Sequence, residues 1–588
     1  MKDPGRGVLL GVALVAATLF FMSLGQAPFV DPSEGMHAQI AREMGLRGDW
    51  ITPHFNGVRY FDKPPLLYWL QAAAFRLAGQ SEWAARFWSA LAAFGVALLT
   101  ARLGTILGSP RLGLVAGLIV AANLELFLFA RYVKPDLLFV FLILVAFAGF
   151  ILAYRGAGRG ALLWGYAGLG LAVLAKDILG AVGPVAAVAL FFFLTRERQL
   201  RAQWIPWIGV GVFLVIAVPW FLAVEVQNRG FLWYTVVDNH VLNFTRQRVF
   251  PDEDVPLSAQ EFLGVTAIGF FPWSLMLPWA LARVLRRPWE TVEARIWLLL
   301  GLWSVLVLAF FTLSPFRLPH YALPAFPAMA LLVAKLWEDV LEPVPGAPSA
   351  QTLLILPMIV LAGLAAISFV AWQGEARLPS GTLSLADVYT RNLDARGQSA
   401  PFPSYAQLQP LLGTLTLIFG AGAMGLAVAV WRRLPRFGLG MLLAVMLAFL
   451  PVTVEGLTLF SKSRSVKVMA EALLARAMAE DVIVHEGPLE NSGALLLYLE
   501  RPVKVVDGMQ STLAFGATFP EGREVFWDRE RLRERWGGRE QLFLLSVMKP
   551  EKSVVRELDR TRVHLLLQSG GRWLYSNHPT HPQGVGAR

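Results

Sequence analysis

The chain has 588 residues, of which 56% are hydrophobic and 16% charged, with a net charge of +10 and no cysteine. Soluble domains carry about 25% charged residues, so one soluble core is excluded and lipid must be part of the solvent. The missing thiols exclude disulfides and thiolate metal sites. The basic residues lie in short loops between apolar runs, which argues against nucleic acid as a partner and for a role in membrane orientation.

Apolar runs long enough to span a bilayer recur along most of the chain, about thirteen in all. They lie near 8–25, 84–106, 112–130, 137–154, 161–175, 178–194, 204–224, 262–282, 296–313, 320–337, 352–372, 411–430 and 437–455. The fifth and sixth are short and meet around Lys176 and Asp177, where a broken hairpin is an alternative. The first run starts basic, at Lys2 and Arg6, but Pro28 follows its small residues and many spans come after it, so it reads as a retained span.

With the N-terminus inside, the inside loops hold Arg155 and Arg159, then Arg196, Arg198 and Arg201, then Arg283, Arg286, Arg287 and Arg295, then Arg432, Arg433 and Arg436. The loops expected outside, 26–83, 225–261 and 373–410, are longer and mixed in charge. An odd number of spans sets the tail outside. The expected organisation is a membrane domain over 1–458 and an extracytoplasmic α/β domain over 459–588. In the tail, 481–485, 494–499, 503–506, 541–547 and 563–568 read as strands, and 464–479, 528–536 and 549–560 as helices.

The first outside loop carries most chemistry. Pro32 and Ser33 open a helix that reaches about Leu46 and stops at Gly48; Pro64-Pro65 open a second that reaches Leu77, with Gly79 beyond. Both read as helices lying in the membrane interface. They bring Asp31, Glu34, Asp62 and Lys63 to the membrane surface. Carboxylates at that depth are costly unless paired or used. Transfer of a sugar from a phosphate carrier needs one carboxylate to take the acceptor's proton and cations or a metal to hold the departing phosphate. Lys63 stands just ahead of a helix N-terminus, which itself favours an anion. The plainer role for Asp31, Ser33 and Asp62 is capping a helix.

The runs Asp31-Pro-Ser-Glu-Gly-Met-His-Ala-Gln-Ile-Ala-Arg-Glu-Met44, Gly48-Asp-Trp-Ile-Thr-Pro53 and Arg59-Tyr-Phe-Asp-Lys-Pro-Pro65 resemble the aminoarabinose transferases that modify lipid A. More broadly, they resemble membrane glycosyltransferases related to protein O-mannosyltransferases. The resemblance implies an α-helical multi-span fold of the GT-C type, a bacterial inner-membrane location, an undecaprenyl-phosphate sugar donor and inversion at the anomeric carbon. The acceptor would be a lipid or glycan, and the protein would act as a monomer. The resemblance also implies that Lys63 and Tyr321, the latter in Leu318-Pro-His-Tyr-Ala-Leu-Pro324, hold the lipid phosphate. Asp62 and His240 would bind a divalent metal, and Arg246, or Arg248 beyond it, would contact the phosphate.

The family pattern breaks at Ser33, which stands where the proposed base, an aspartate, is expected. Serine is no general base at neutral pH without help, so the role passes to Glu34 or to Asp31. Arg317 and His320, His37, and the group Arg131, Lys134 and Asp136 are further candidates for the cleft, or simply for the ends of spans. A transporter of lipid-linked sugars is the competing reading. No internal repeat is visible, and the charges gather at the outside ends of spans rather than mid-membrane, which favours the enzyme.

Overall fold

A computed structural model describes residues 4–196, 206–251, 256–286, 288–374, 393, 397–399 and 401–580. Most of the expected 373–410 loop and Arg198, Arg201 and Arg287 fall outside these residues.

All thirteen apolar runs form helices. In order these are α1 (Pro4–Phe21), then the two loop helices α2 (Ser33–Arg47) and α3 (Leu66–Ala78), then α4 (Glu82–Leu107), α5 (Pro110–Ala121), α6 (Leu124–Ala130), α7 (Asp136–Tyr154), α8 (Arg159–Ala175) and α9 (Leu179–Thr195). They continue as α10 (Trp207–Gln227), α11 (Ala259–Gly269), α12 (Leu277–Arg286), α13 (Val292–Leu313), α14 (Phe326–Leu341), α15 (Ala350–Trp372), α16 (Tyr405–Arg432) and α17 (Pro435–Arg464). Among the described residues, 7 helices are long and apolar enough to cross a membrane, or up to 9 if each bent pair is one span. The bent pairs are Pro110–Ala121 with Leu124–Ala130, at 61°, and Ala259–Gly269 with Trp273–Arg286, at 106°. Three shorter apolar helices begin at Gly5, Arg159 and Leu179, so the fifth and sixth runs are separate helices. Small residues let helices approach closely in lipid: a Cβ on Gly149 of α7 would stand 2.5 Å from the Ala161 carbonyl oxygen of α8.

The loop helices begin and end where the prolines and glycines require. α2 closes at Gly48, whose φ of 68° is left-handed, with its N–H bonded back to Met44. α3 closes at Gly79, φ 76°.

The last long helix runs on to Arg464 and leads into α18 (Lys467–Leu474). The tail then builds a six-stranded sheet from β3 (Val482–Glu486), β4 (Lys504–Val506), β5 (Phe526–Trp527), β6 (Leu542–Ser546), β7 (His564–Ser569) and β8 (Arg572–Ser576); β1 (His54–Phe55) and β2 (Val58–Arg59) form a small hairpin in the first loop. The sheet order is β5-β4-β3-β6-β8-β7, with the β5-β4-β3-β6 pairs parallel and the β6-β8-β7 pairs antiparallel.

Two tail segments differ from expectation. Residues 494–499 form helix α19 (Ala494–Leu499), not a strand. A short run such as Ala-Leu-Leu-Leu-Tyr-Leu has no period that separates helix from strand, and packing against α2 decides for helix. The expected helix 549–560 is instead two 3-10 turns, Val554–Glu557 and Arg560–Arg562, capped by Ser553 and Asp559 side chains. Helix α20 (Arg529–Trp536) forms as expected, capped by Asp528.

The tail domain packs on the first loop. One apolar core joins Met36, Ile40 and Met44 of α2 to Leu495, Val505 and Phe543 of the domain. Asn56 donates to the Val503 carbonyl at 2.8 Å and accepts from the Val503 N–H at 3.0 Å. α2 is thereby enclosed between the helical bundle and the domain.

Candidate active site

A cavity of about 620 Å³ opens where the first loop, the starts of α7 and α9, the segment 231–248, the start of α14 and the tail domain converge. Its polar wall holds Lys63, Lys134, Lys176 and Arg248 with the carboxylates Asp62, Asp136, Asp177 and Glu490. His37, His240, His320, Tyr60 and Tyr321 complete it. Apolar side chains of α9 (Leu179, Val182, Pro184) and α13 (Leu306, Val307, Phe310) also line the cavity.

Lys63 and Asp62 precede α3, whose N-terminus follows Pro64-Pro65. Lys63 Nζ donates to Asp62 Oδ2 at 2.7 Å. Burial alone would raise the Asp62 carboxyl, but Lys63 outweighs it, with Arg248 assisting, and holds it below the ordinary value. Burial likewise works to lower Lys63, but Asp62, Asp177 and Asp136 outweigh it and hold it above its usual range, which favours the ammonium form.

A second cluster centres on Asp136. Asp136 opens α7; its Oδ1 accepts from Lys176 Nζ at 2.5 Å and lies 3.4 Å from His320 Nε2. Lys176, at the end of α8, also lies 4.8 Å from the centre of the Tyr321 ring. Tyr321 itself sits in the 3-10 turn Pro319–Ala325 ahead of α14.

The third contribution is Trp233–Leu242, a π-helix, a form found often at functional sites. It carries Asn239 and His240 to the cavity and buries Asp238. Asp238 Oδ1 accepts from the Val249 N–H at 2.6 Å, and Arg248 Nη2 donates to Asn239 Oδ1 at 2.6 Å.

His37, on α2, hydrogen-bonds with the Tyr68 hydroxyl at 2.9 Å. Burial, with Lys134 and Lys63 nearby, pushes its pKa down to about 3, so the imidazole is neutral at pH 7.

The cavity therefore unites Lys63, Asp62, His240 and Tyr321 of the expected residues, but not Glu34, Asp31 or Arg246. Glu34 is fully buried, and Arg86 of α4 grips it with Nε at 2.8 Å and Nη2 at 2.7 Å. The Val30 and Val133 N–H groups, each at 3.0 Å, fill its remaining acceptor sites. A carboxylate so occupied has no lone pair aimed at a substrate. Asp31 also faces away: its Oδ1 accepts from the Ala494 N–H at 3.0 Å, and its Oδ2 is 3.5 Å from Arg572 Nη2. Arg246 has a left-handed φ of 59° and is exposed on the turn that reverses the chain. Arg248, two residues on, is the arginine of the cavity wall.

The surroundings of Asp62 and His240 do not fit a metal site. Asp62 is engaged by Lys63, and His240 Nδ1 lies 2.6 Å from the Thr235 carbonyl oxygen, leaving Nε2 alone to ligate. No group of three or more His, Cys, Asp or Glu residues suited to a metal occurs among the described residues. Four cationic side chains already serve the charge that a metal would neutralise.

The sequence reading treated Asp136, Lys134 and His320 as span-end residues that could also line the cleft, and missed Glu490 and the site role of Lys176. Lys176 interrupts two apolar runs, and an ionisable residue there is a functional candidate in itself; Glu490 lies in a domain whose docking no local pattern reveals.

The model of the family "Dolichyl-phosphate-mannose-protein mannosyltransferase" matches residues 10–235. An arabinosyl transferase of Pseudomonas fluorescens, named for undecaprenyl phosphate-alpha-4-amino-4-deoxy-L-arabinose, is 30% identical over 61% of this chain and 64% of that one. One of Pseudomonas paraeruginosa, with the same name, is 29% identical over 86% of each chain. The crystal structure of ArnT from Cupriavidus metallidurans bound to undecaprenyl phosphate superposes with a TM-score of 0.78, at 24% identity, over 97% of this chain and 98% of that one. The chain resembles these membrane glycosyltransferases and shares the GT-C fold of that structure. The apo form of the same Cupriavidus metallidurans protein matches with a TM-score of 0.77, so the helical bundle and the tail domain of this chain both belong to the shared fold.

Proposed function

We propose that this transferase moves a sugar from an undecaprenyl-phosphate carrier to a hydroxyl of an acceptor glycolipid, lipid A being the leading candidate, with inversion at the anomeric carbon. The observation that carries this reading is the mixed lining of the cavity, with cationic and phenolic groups beside apolar side chains of α9 and α13. A polyprenyl phosphate has the matching mixed character. The relatives' names point to the same donor class.

In this reading Lys63, Tyr321 and Arg248 hold the phosphate. Asp136 takes over the base role first sought in Glu34 and Asp31, because it is a carboxylate of the cavity wall beside Lys176 and Tyr321. The acceptor oxygen attacks the anomeric carbon as its proton passes to Asp136. The bond from that carbon to the phosphate oxygen breaks, and its electron pair leaves with the polyprenyl phosphate. Lys176 and His320 orient the carboxylate. The enzyme works as a monomer in the bacterial inner membrane, with its N-terminus in the cytoplasm and the tail domain extracytoplasmic, as the basic short loops favour.

The test is lipid mass spectrometry on the purified protein together with turnover of undecaprenyl-phosphate sugars with extracted outer-membrane lipids. A co-purifying polyprenyl phosphate, and sugar appearing in one acceptor fraction, is expected. Asp136→Asn should retain the bound lipid and lose turnover. A lipid-linked sugar moved across vesicles but never cleaved would replace the enzyme with a transporter.

A further inference from the structure

The tail domain contributes Glu490, Asn491 and Thr512 to the cavity wall. They are held with little freedom. The Thr512 N–H donates to Glu490 Oε1 at 3.1 Å. Arg572 Nε donates to Ser492 Oγ at 2.8 Å, and its Nη2 donates to the Asn491 carbonyl. The same guanidinium lies 3.5 Å from Asp31, whose other oxygen accepts from the Ala494 N–H at 3.0 Å. One carboxylate of the first loop therefore holds the chain just after Glu490, directly at Ala494 and through Arg572 at Asn491 and Ser492.

The backbones also meet without room for a side chain. A Cβ on Gly35 would stand 2.0 Å from the Ala494 nitrogen, and one on Gly493 would stand 2.5 Å from the Met36 nitrogen. Atoms that close cannot both stay, so the approach of α2 to the turn needs glycine on both sides. Asp31, Gly35, Gly493 and Arg572 thus form one joint, buried between the membrane domain and the tail.

We propose that this joint positions the Glu490–Asn491 turn as the saccharide-recognising wall of the cavity, with Asp31 and Arg572 as positioning residues. A carboxylate and an amide suit the hydroxyl or amino groups of a sugar. That sugar is either the one on the donor or one on the acceptor. The inference rests on the glycosyltransferase reading above and adds to it a task for the tail domain.

The full-length enzyme in detergent tests it through steady-state kinetics and amide hydrogen exchange on wild type, Asp31→Asn, Arg572→Gln and Glu490→Gln. Glu490→Gln keeps an oxygen for the Thr512 N–H and so tests the wall without loosening the joint. All three variants should raise KM about tenfold for one substrate, the equivalent of one lost polar contact, while kcat changes less. Exchange at residues 489–493 should rise in Asp31→Asn and Arg572→Gln only. A KM rise confined to the donor assigns the wall to the donor sugar, and one confined to the acceptor assigns it to the acceptor. Unchanged KM in Glu490→Gln, or a fall in kcat alone, overturns the proposal. Wild-type turnover in the same assay separates that failure from failure of the glycosyltransferase reading, which would show no transfer from any polyprenyl-phosphate sugar.

Discussion

Arg86 reaches across from α4 to hold both carboxylate oxygens of Glu34, at 2.8 and 2.7 Å, where neither side chain meets solvent. The same guanidinium donates to the Leu24, Ala27 and Pro28 carbonyls at 3.0, 2.8 and 3.1 Å. The pair ties the end of α1, the first loop and α4 into one unit. A glutamate beside a helix start, with the look of a catalytic acid, is here an internal strut.

Removing one partner of such a pair strands the other in a dry site, which costs about 3–5 kcal/mol. Arg86→Ala and Glu34→Ala should therefore lower the melting temperature in detergent by several degrees and reduce folded yield. The two losses should not add in the double variant. Normal melting in Arg86→Ala would return Glu34 to the list of candidate bases.

Lys63→Ala should abolish transfer, with a drop of at least about a hundredfold in kcat/KM, the scale of a lost electrostatic contact to the leaving group. Insertion and melting should stay close to wild type, since among the described residues Lys63 forms an ion pair with its chain neighbour Asp62 alone. Near-normal turnover in the folded variant would remove it from the phosphate site.

The two arginines after His240 should behave differently. Arg248→Ala removes a cavity cation that also bonds to Asn239 and faces Asp238, so weaker binding of the polyprenyl phosphate is expected, measured as retention of the lipid through purification. Arg246→Ala, on an exposed turn, should bind as wild type does. The opposite order would mean that the turn closes differently when the lipid is bound.

His37 makes stability depend on pH in a stated direction. Its pKa is lowered from 6.5 in the unfolded chain to about 3 in the fold. Between those values the unfolded chain binds a proton that the folded one does not, so this contribution is present above 6.5 and is lost as the pH falls toward 3. His37→Gln should flatten the fall in melting temperature over that window. The difference between variant and wild type isolates His37 from Asp31, whose carboxyl burial pushes up to about 6, against the pull of Arg572.

The donor set around Asp62 and His240 predicts that treatment with a strong chelator, followed by buffer exchange, leaves turnover within about twofold, well under the tenfold that 1.4 kcal/mol represents. Loss of activity restored by one divalent ion would show that a metal displaces Lys63 from Asp62 in the working complex.

Much of the chain was legible because the physics involved is local. Twenty or so consecutive apolar residues leave no choice but a helix in lipid. Pro32, Gly48, Pro64, Pro65 and Gly79 bracket α2 and α3 by backbone geometry alone. Where the pattern was short, as at Ala494–Leu499, the same reasoning chose the wrong element, because the docking partner α2 supplies the deciding contacts.

The sequence by itself determined the membrane class, the order of the apolar runs and the two loop helices, while the family resemblance picked out Lys63, Asp62, His240 and Tyr321, which line one cavity. Those follow from hydropathy, backbone restriction and short motifs, which act over a few residues. Only the tertiary structure decided that Glu34 belongs to Arg86, 52 residues away, that Asp31 belongs to Ala494, 463 residues away, and that Lys176 meets Asp136 across two helices. A carboxylate's task depends on which charge and which N–H groups surround it, and those neighbours are set by packing at a distance along the chain.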